Sequence, residues 1–188
     1  MKCEPNRLEI FITRLAFLLY GKPVYQVFAE RLPISGRELV LDFGCGMGTV
    51  AYYVAKKLTC GHLTCLDVSG RWLNICRKTL KNFRNITFIQ GESRLIANES
   101  FDIVYCHFVL HDIPDSELEK VITSLAGATK QSGVLVFREP LNNTKKISVI
   151  KHLMEQNRLL LKDSRIIDVP VMGNALESLY VKIEEDIQ

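Results

Sequence analysis

Gly44, Gly46 and Gly48 stand at alternate positions between a short apolar run that carries a carboxylate, Val40-Leu41-Asp42-Phe43, and a helix-compatible spacing of Ala51, Val54, Ala55 and Leu58. Glycine admits positive φ and lets the backbone approach a ligand without a Cβ in the way, while the helix behind supplies unpaired N–H groups. The chemistry is that of a backbone cradle for a nucleotide-like ligand; a plain strand-turn-helix, with glycines for tight packing, is the other reading. A dinucleotide fingerprint would need glycine or alanine at Thr49 to complete G-x-G-x-x-G. Asp42, two residues before the first glycine, is poorly placed beside a pyrophosphate and well placed to pair with an ammonium. A second apolar run, His62 to Asp67, ends on a carboxylate 23 positions after Gly44. An acid there falls beside a bound ribose in parallel βαβ packing, or else caps the next helix, a task Ser69 could also perform.

Leu41-Asp42-Phe43-Gly44-Cys45-Gly46-Met47-Gly48 resembles the first motif of the class I S-adenosylmethionine-dependent methyltransferases of the small-molecule type (type 11/25-like), and Leu66-Asp67-Val68-Ser69 resembles their second. The resemblance implies S-adenosyl-L-methionine as cofactor and S-adenosyl-L-homocysteine as product. It assigns Asp42 to the amino group, Gly44, Cys45, Gly46 and Gly48 to the methionyl chain, and Asp67 with Val68 to the ribose. Gly91-Glu92-Ser93 stands where many members carry Gly-Asp-Ala reaching the adenine; glutamate adds a methylene, so that contact runs through backbone or water, or Glu92 is a surface residue. Phe101-Asp102-Ile103-Val104 is similar to the fourth-strand pattern, which brings Cys106 and His107 to the cofactor side. Comparable members show Leu-His-His where this chain has Leu110-His111-Asp112.

Two residues are candidates for acid–base work. His111 follows a strand end and titrates near neutrality; its alternative is capping or packing beneath a helix over about 115–127. Glu139, at the end of the strand Gly133 to Arg138, would accept a proton or bind a substrate cation, or form a surface salt bridge with Arg138. Methyl transfer is an in-line displacement, so alignment is the main task.

The elements that must position these residues follow from periodicity. Helices are expected over 6–20 and 23–31, separated by Gly21-Lys22-Pro23, with Pro23 in a first turn. Further helices are expected over about 47–58, 70–82, 115–127 and 145–161. Strands are expected at Glu38 to Phe43, 62–67, 85–90, 101–106 and 133–138, then a hairpin of Arg165 to Val169 and Ala175 to Glu184 around Pro170 and Gly173-Asn174. The resemblance implies a Rossmann-like doubly wound α/β fold. Its seven-stranded, mostly parallel sheet would have the order 3-2-1-4-5-7-6, the last strand antiparallel and helices on both faces. One methyltransferase domain over 1–188 is expected, with 1–35 a helical cap and 36–188 the cofactor-binding core. For the cap, a lid, packing across the sheet edge and a membrane-surface helix are all open.

At 188 residues, 47% hydrophobic and 24% charged, the chain suits one globular domain and carries no apolar run long enough to span a membrane. Glu4 and Glu9 argue against a signal peptide, and a cytoplasmic protein is expected. The cysteines Cys3, Cys45, Cys60, Cys65, Cys76 and Cys106 form no C-x-x-C pair, read as reduced buried thiols, and predict no metal. A net charge of +3 argues against nucleic acid, and the basic segment Arg71 to Arg84 reads as a solvated helix face. The absence of Asn/Asp-Pro-Pro-aromatic after the fourth strand argues against DNA-base methylation, and no convergent cysteine set is expected for arsenic methylation. The expected function is methyl transfer to a small organic acceptor; an S-adenosylmethionine-binding protein without turnover and an RNA methyltransferase are the alternatives.

Overall fold

The computed structural model describes residues 4–170 and 172–183; Cys3 and Glu184 lie outside the described residues. Helix α1 (Arg7–Tyr20) opens on a capping box, in which Asn6 accepts from the Glu9 N–H and Glu9 accepts from that of Asn6. The chain does not break at Gly21-Lys22-Pro23. A π-helical stretch, Gly21–Gln26, carries it directly into α2 (Val27–Arg31). Wide turns of this kind accommodate a proline without ending the helix, and they recur at functional sites.

The core then alternates strand and helix: β1 (Leu39–Phe43), α3 (Thr49–Lys57), β2 (His62–Asp67), α4 (Gly70–Thr79), β3 (Ile86–Gln90), β4 (Phe101–His107), α5 (Asp115–Ala128), β5 (Thr129–Pro140), α6 (Thr144–Gln156), β6 (Leu159–Val169) and β7 (Gly173–Lys182). The sheet order is β3-β2-β1-β4-β5-β7-β6, with β7 antiparallel to both neighbours, as the family resemblance implies. The largest departures from the expected boundaries fall at two junctions. Helix α6 stops at Gln156, because Asn157 caps it and Arg158 takes a left-handed φ of 60°, so Leu159-Leu160-Leu161 becomes strand. Strand β5 starts at Thr129, where its first residues pair with Phe101 across a register shift.

Period-two alternation divides the apolar residues between two faces. Leu41, Leu66, Val104, Leu135 and Phe137 pack against α5 and α6, whereas Val40, Leu63, Ile103, Tyr105 and Val136 pack against α2, α3 and α4. Strand β1 lies between β2 and β4, with Phe43 level with both Leu66 and Cys106. Chain order reverses there, and the crevice beyond such strand ends is where open α/β sheets bind ligands.

The surface salt bridge between Arg138 and Glu139, one of the readings of Glu139, is not formed, since consecutive strand residues point to opposite faces. Arg138 is 1% exposed; it grips Glu177 on β7 through Nη2 at 2.6 Å and Nε at 3.0 Å, donates to the Val24 carbonyl, and lies over the Phe28 ring. It thereby ties the N-terminal helices to the sheet. Arg31 and Arg165 also reach Glu177, at 3.3 and 3.6 Å, so its charge keeps partners when Arg138 is removed. Arg138→Ala is expected to lose about 1–3 kcal/mol of unfolding free energy in denaturant titration, from the unpaired Val24 carbonyl and the weakened ion pair.

Candidate active site

At the carboxyl ends of β1, β2 and β4 the backbone is forced into unusual conformations. Gly44, Gly46 and Gly48 have φ of 74°, 53° and 80°, values that side chains resist. A Cβ on Gly44 would stand 2.5 Å from Val109, whereas one on Gly46 would meet nothing within 4 Å. The loop is thus clamped at its start and open at its middle. Asp67 fixes it from β2: one carboxylate oxygen accepts from the Gly46 N–H at 2.8 Å, the other from the Ser69 N–H at 2.9 Å. Burial pushes the Asp67 carboxyl above the ordinary carboxylate range, against the effect of those two N–H groups.

A cavity of about 720 Å³ opens above this floor. Of the residues singled out in the sequence, Gly44, Cys45, Gly46, Asp67, Val68, Glu92, Ser93 and His107 line it. Asp42, Gly48, Gly91, Cys106, His111 and Glu139 do not. Asp42 is 3% exposed beneath the loop, and burial pushes its carboxyl well above the usual range. His107 sits among the rings of Tyr25, Phe28 and Phe108. Burial first, and the Arg138 charge second, hold its imidazole well below its ordinary value. Its Nε2 faces Arg138 Nη1 at 3.4 Å, so in the neutral ring that lone pair is engaged.

Glu139 and His111 meet each other rather than the cavity. Glu139, fully buried, accepts from the N–H groups of Val109, Leu110 and His111 and from His111 Nδ1 at 2.5 Å. It holds the turn after β4, where Phe108 takes a left-handed φ of 58°, and so sets Val109 against Gly44.

Apart from a lid as one role weighed for the N-terminal helices, the sequence does not reveal the remaining walls. Ile12, Thr13, Leu15, Ala16, Leu19 and Tyr20 of α1 roof the cavity, Val24 and Tyr25 come from the π-helical stretch, and Met47, Thr49, Trp72, Phe108, Val109, Asp112, Glu117 and Met172 complete it. Helix α1 thus lies over the cavity, and α2 packs on the sheet. An aromatic cluster of Phe17, Tyr25, Tyr52 and Tyr53 fastens them, as do Glu4 on Ser69 and the Pro5 carbonyl on Arg71. An amphipathic pattern in α1 shows an apolar face but not what it covers. The basic segment is partly engaged: Arg71 holds Pro5, and Arg77 lies over Phe88.

Against the spacing-based expectation, three cysteines converge. The Sγ atoms of Cys45, Cys65 and Cys76 lie within 4.8 Å of one another, buried.

The His111 imidazole is raised in the folded state: burial alone would lower it, but the hydrogen bond and charge of Glu139 outweigh that. Stability from this pair is therefore full below the ordinary histidine value of 6.5 and is lost as pH rises through the raised folded value. Thermal melts of wild type and His111→Gln should show a stability gap that narrows as pH rises above about 6.5; a gap independent of pH contradicts this.

The profile of the methyltransferase domain family matches residues 40–133. An uncharacterized methyltransferase of Synechocystis sp. is 28% identical over 130 residues, covering 67% of this chain and 59% of that protein. Demethylmenaquinone methyltransferase of Tropheryma whipplei is 33% identical over 111 residues, covering 58% of this chain and 45% of that protein. The chain thus spans about half the length of these curated relatives. Among solved structures, the N-methyltransferase NodS of Bradyrhizobium japonicum, in complex with S-adenosyl-L-homocysteine, superposes with a TM-score of 0.73 at 18% identity, covering 85% of this chain and 86% of NodS.

Proposed function

The chain belongs to the methyltransferase domain family, and from that premise we propose that it transfers the methyl group of S-adenosyl-L-methionine to a small, largely apolar organic acceptor. The observation that carries this reading is the continuity of one cavity. Its floor is the glycine loop with Asp67, and its roof is the apolar inner face of α1. Family membership implies the cofactor, and NodS holds its demethylated form. The residues here suit that group: an open backbone at Gly46 and a carboxylate at Asp67 in the cavity wall.

In this reading Asp67 and Val68 hold the ribose, Gly44, Cys45 and Gly46 the methionyl chain, and Glu92 with Ser93 the adenine end, while His107 closes the side beneath β4. Asp42 and Gly48 act from under the loop, and Gly91 and Cys106 from behind Glu92 and His107. When bound, the cofactor supplies an electrophilic methyl group on a sulfonium. The protein's residues supply alignment, for which about 7–11 kcal/mol of barrier reduction is available in favourable cases. Ile12, Leu15, Leu19, Tyr20, Tyr25, Phe108 and Met172 exclude water and receive the acceptor's apolar body. No free imidazole is present in the wall among the described residues, because His107 is engaged by Arg138 and His111 by Glu139. His111 and Glu139 are therefore positioning residues; at the cavity, Glu117 and Asp112, the latter 3.5 Å from His111 Nε2, are carboxylates that could take a proton. Demethylmenaquinone, in the name of one relative, is an acceptor of the apolar kind.

The domain reading follows the same lines: one methyltransferase domain, with 1–35 as a lid and 36–188 as the cofactor-binding core. No helix of the described residues is long and apolar enough to cross a membrane. Cys45, Cys60, Cys65, Cys76 and Cys106 are free of disulfides, which supports a reducing compartment such as the cytoplasm.

Calorimetry with S-adenosyl-L-methionine tests the cofactor assignment. Asp67→Asn should lose at least tenfold in affinity, and unchanged affinity removes the ribose role. Methyl-labelled cofactor offered with small acceptors that differ only in their apolar tail should label the tailed compounds preferentially. Tight cofactor binding without label in any small-molecule or RNA pool would favour a binding protein without turnover.

A further inference from the structure

Cys45 lies in the glycine loop, Cys65 inside β2 and Cys76 on the inner face of α4, yet their Sγ atoms all come within 4.8 Å of one another in the core. Three separate elements deliver one sulfur each. The cluster is tightly enclosed: a Cβ on Gly48 would stand 2.8 Å from Cys76 Sγ. All three thiols are free of disulfides.

We propose that this triad binds a trivalent thiophilic ion, supplied as arsenite or antimonite. Charge balance selects the ion. Three thiolates around a trivalent centre are neutral, whereas a monovalent copper would leave two negative charges, and zinc would leave one and call for a fourth ligand. Net charge is costly in a buried site, and the carboxylates of Asp42 and Asp67 are already close enough to bear on Cys76. The reaction balances without an oxidant. Each of the three As–OH groups of arsenous acid condenses with one S–H, so three As–O and three S–H bonds break, three As–S bonds form, and three waters leave with the thiol protons.

The site is not the acceptor position. Of the three cysteines, only Cys45 lines the cavity. Cys65 is fixed in the sheet, so closing the sulfurs around an ion draws Cys45, and with it Gly44 and Gly46, toward the core. The ion therefore inhibits by displacing the floor of the cavity, and its binding is independent of whether the chain transfers methyl groups.

The test is titration of the full chain, kept reduced with a phosphine, with sodium arsenite. A Cys3→Ala, Cys60→Ala background removes two other thiols. One arsenic per chain should be retained, three thiols should become unreactive, and X-ray absorption should show three sulfur neighbours. Cys45→Ala, Cys65→Ala and Cys76→Ala should each weaken retention at least tenfold, while Cys106→Ala should not. No arsenic retained by the folded background protein overturns the proposal, as does retention unaffected by the cluster substitutions or displacement by equimolar zinc. The thiol count and absorption spectrum need no cluster variant, so they support or overturn the site even where a cluster substitution prevents folding.

Discussion

The carboxylate of Asp67 is the tie on which the site depends. It ends β2, the strand beside β1, and its two oxygens hold the Gly46 and Ser69 N–H groups. One side chain thus fixes both the open middle of the glycine loop and the start of α4. Ser69 then caps α4 by accepting from the Trp72 N–H, placing Trp72 beside the cavity. A buried carboxyl is costly unless hydrogen-bonded, and the loop's donors offset that cost. The same bonds that stabilise Asp67 give the loop its shape.

Two other charged groups do equivalent work at neighbouring strand ends. Glu139 satisfies three successive N–H groups after β4 and thereby presses Val109 onto Gly44. Arg138, the residue before it, reaches the opposite face to hold Glu177 and the carbonyl of Val24. Floor, wall and roof are each anchored by one ionisable side chain from the end of a strand. The roof retains a large apolar surface outward: Leu18 is 80% exposed.

The strands, the glycine cradle and Asp67 were legible in the sequence because each depends on local chemistry: period-two apolar runs, glycines at set spacing, a carboxylate at a strand end; the sheet order followed only from the family resemblance. Glu139 and His111 look like acid–base candidates because sequence places them past strand ends. It does not show that Glu139 turns inward to satisfy backbone N–H groups. The break expected at Gly21-Lys22-Pro23 rested on proline chemistry, but a π-helical turn absorbs the missing donor and keeps the helix running. Likewise Cys45, Cys65 and Cys76 are far apart in sequence and meet only through β1–β2 pairing and the packing of α4. Convergence of that kind has no signal in spacing.

If the glycine loop and Asp67 are the floor of a cofactor site roofed by α1, amide chemical-shift mapping with S-adenosyl-L-homocysteine gives saturable shifts at Gly44, Gly46, Asp67 and Trp72 together with Leu15 and Leu19 of the roof. Shifts confined to other surfaces, with the loop and Asp67 unmoved at saturation, would contradict that assignment.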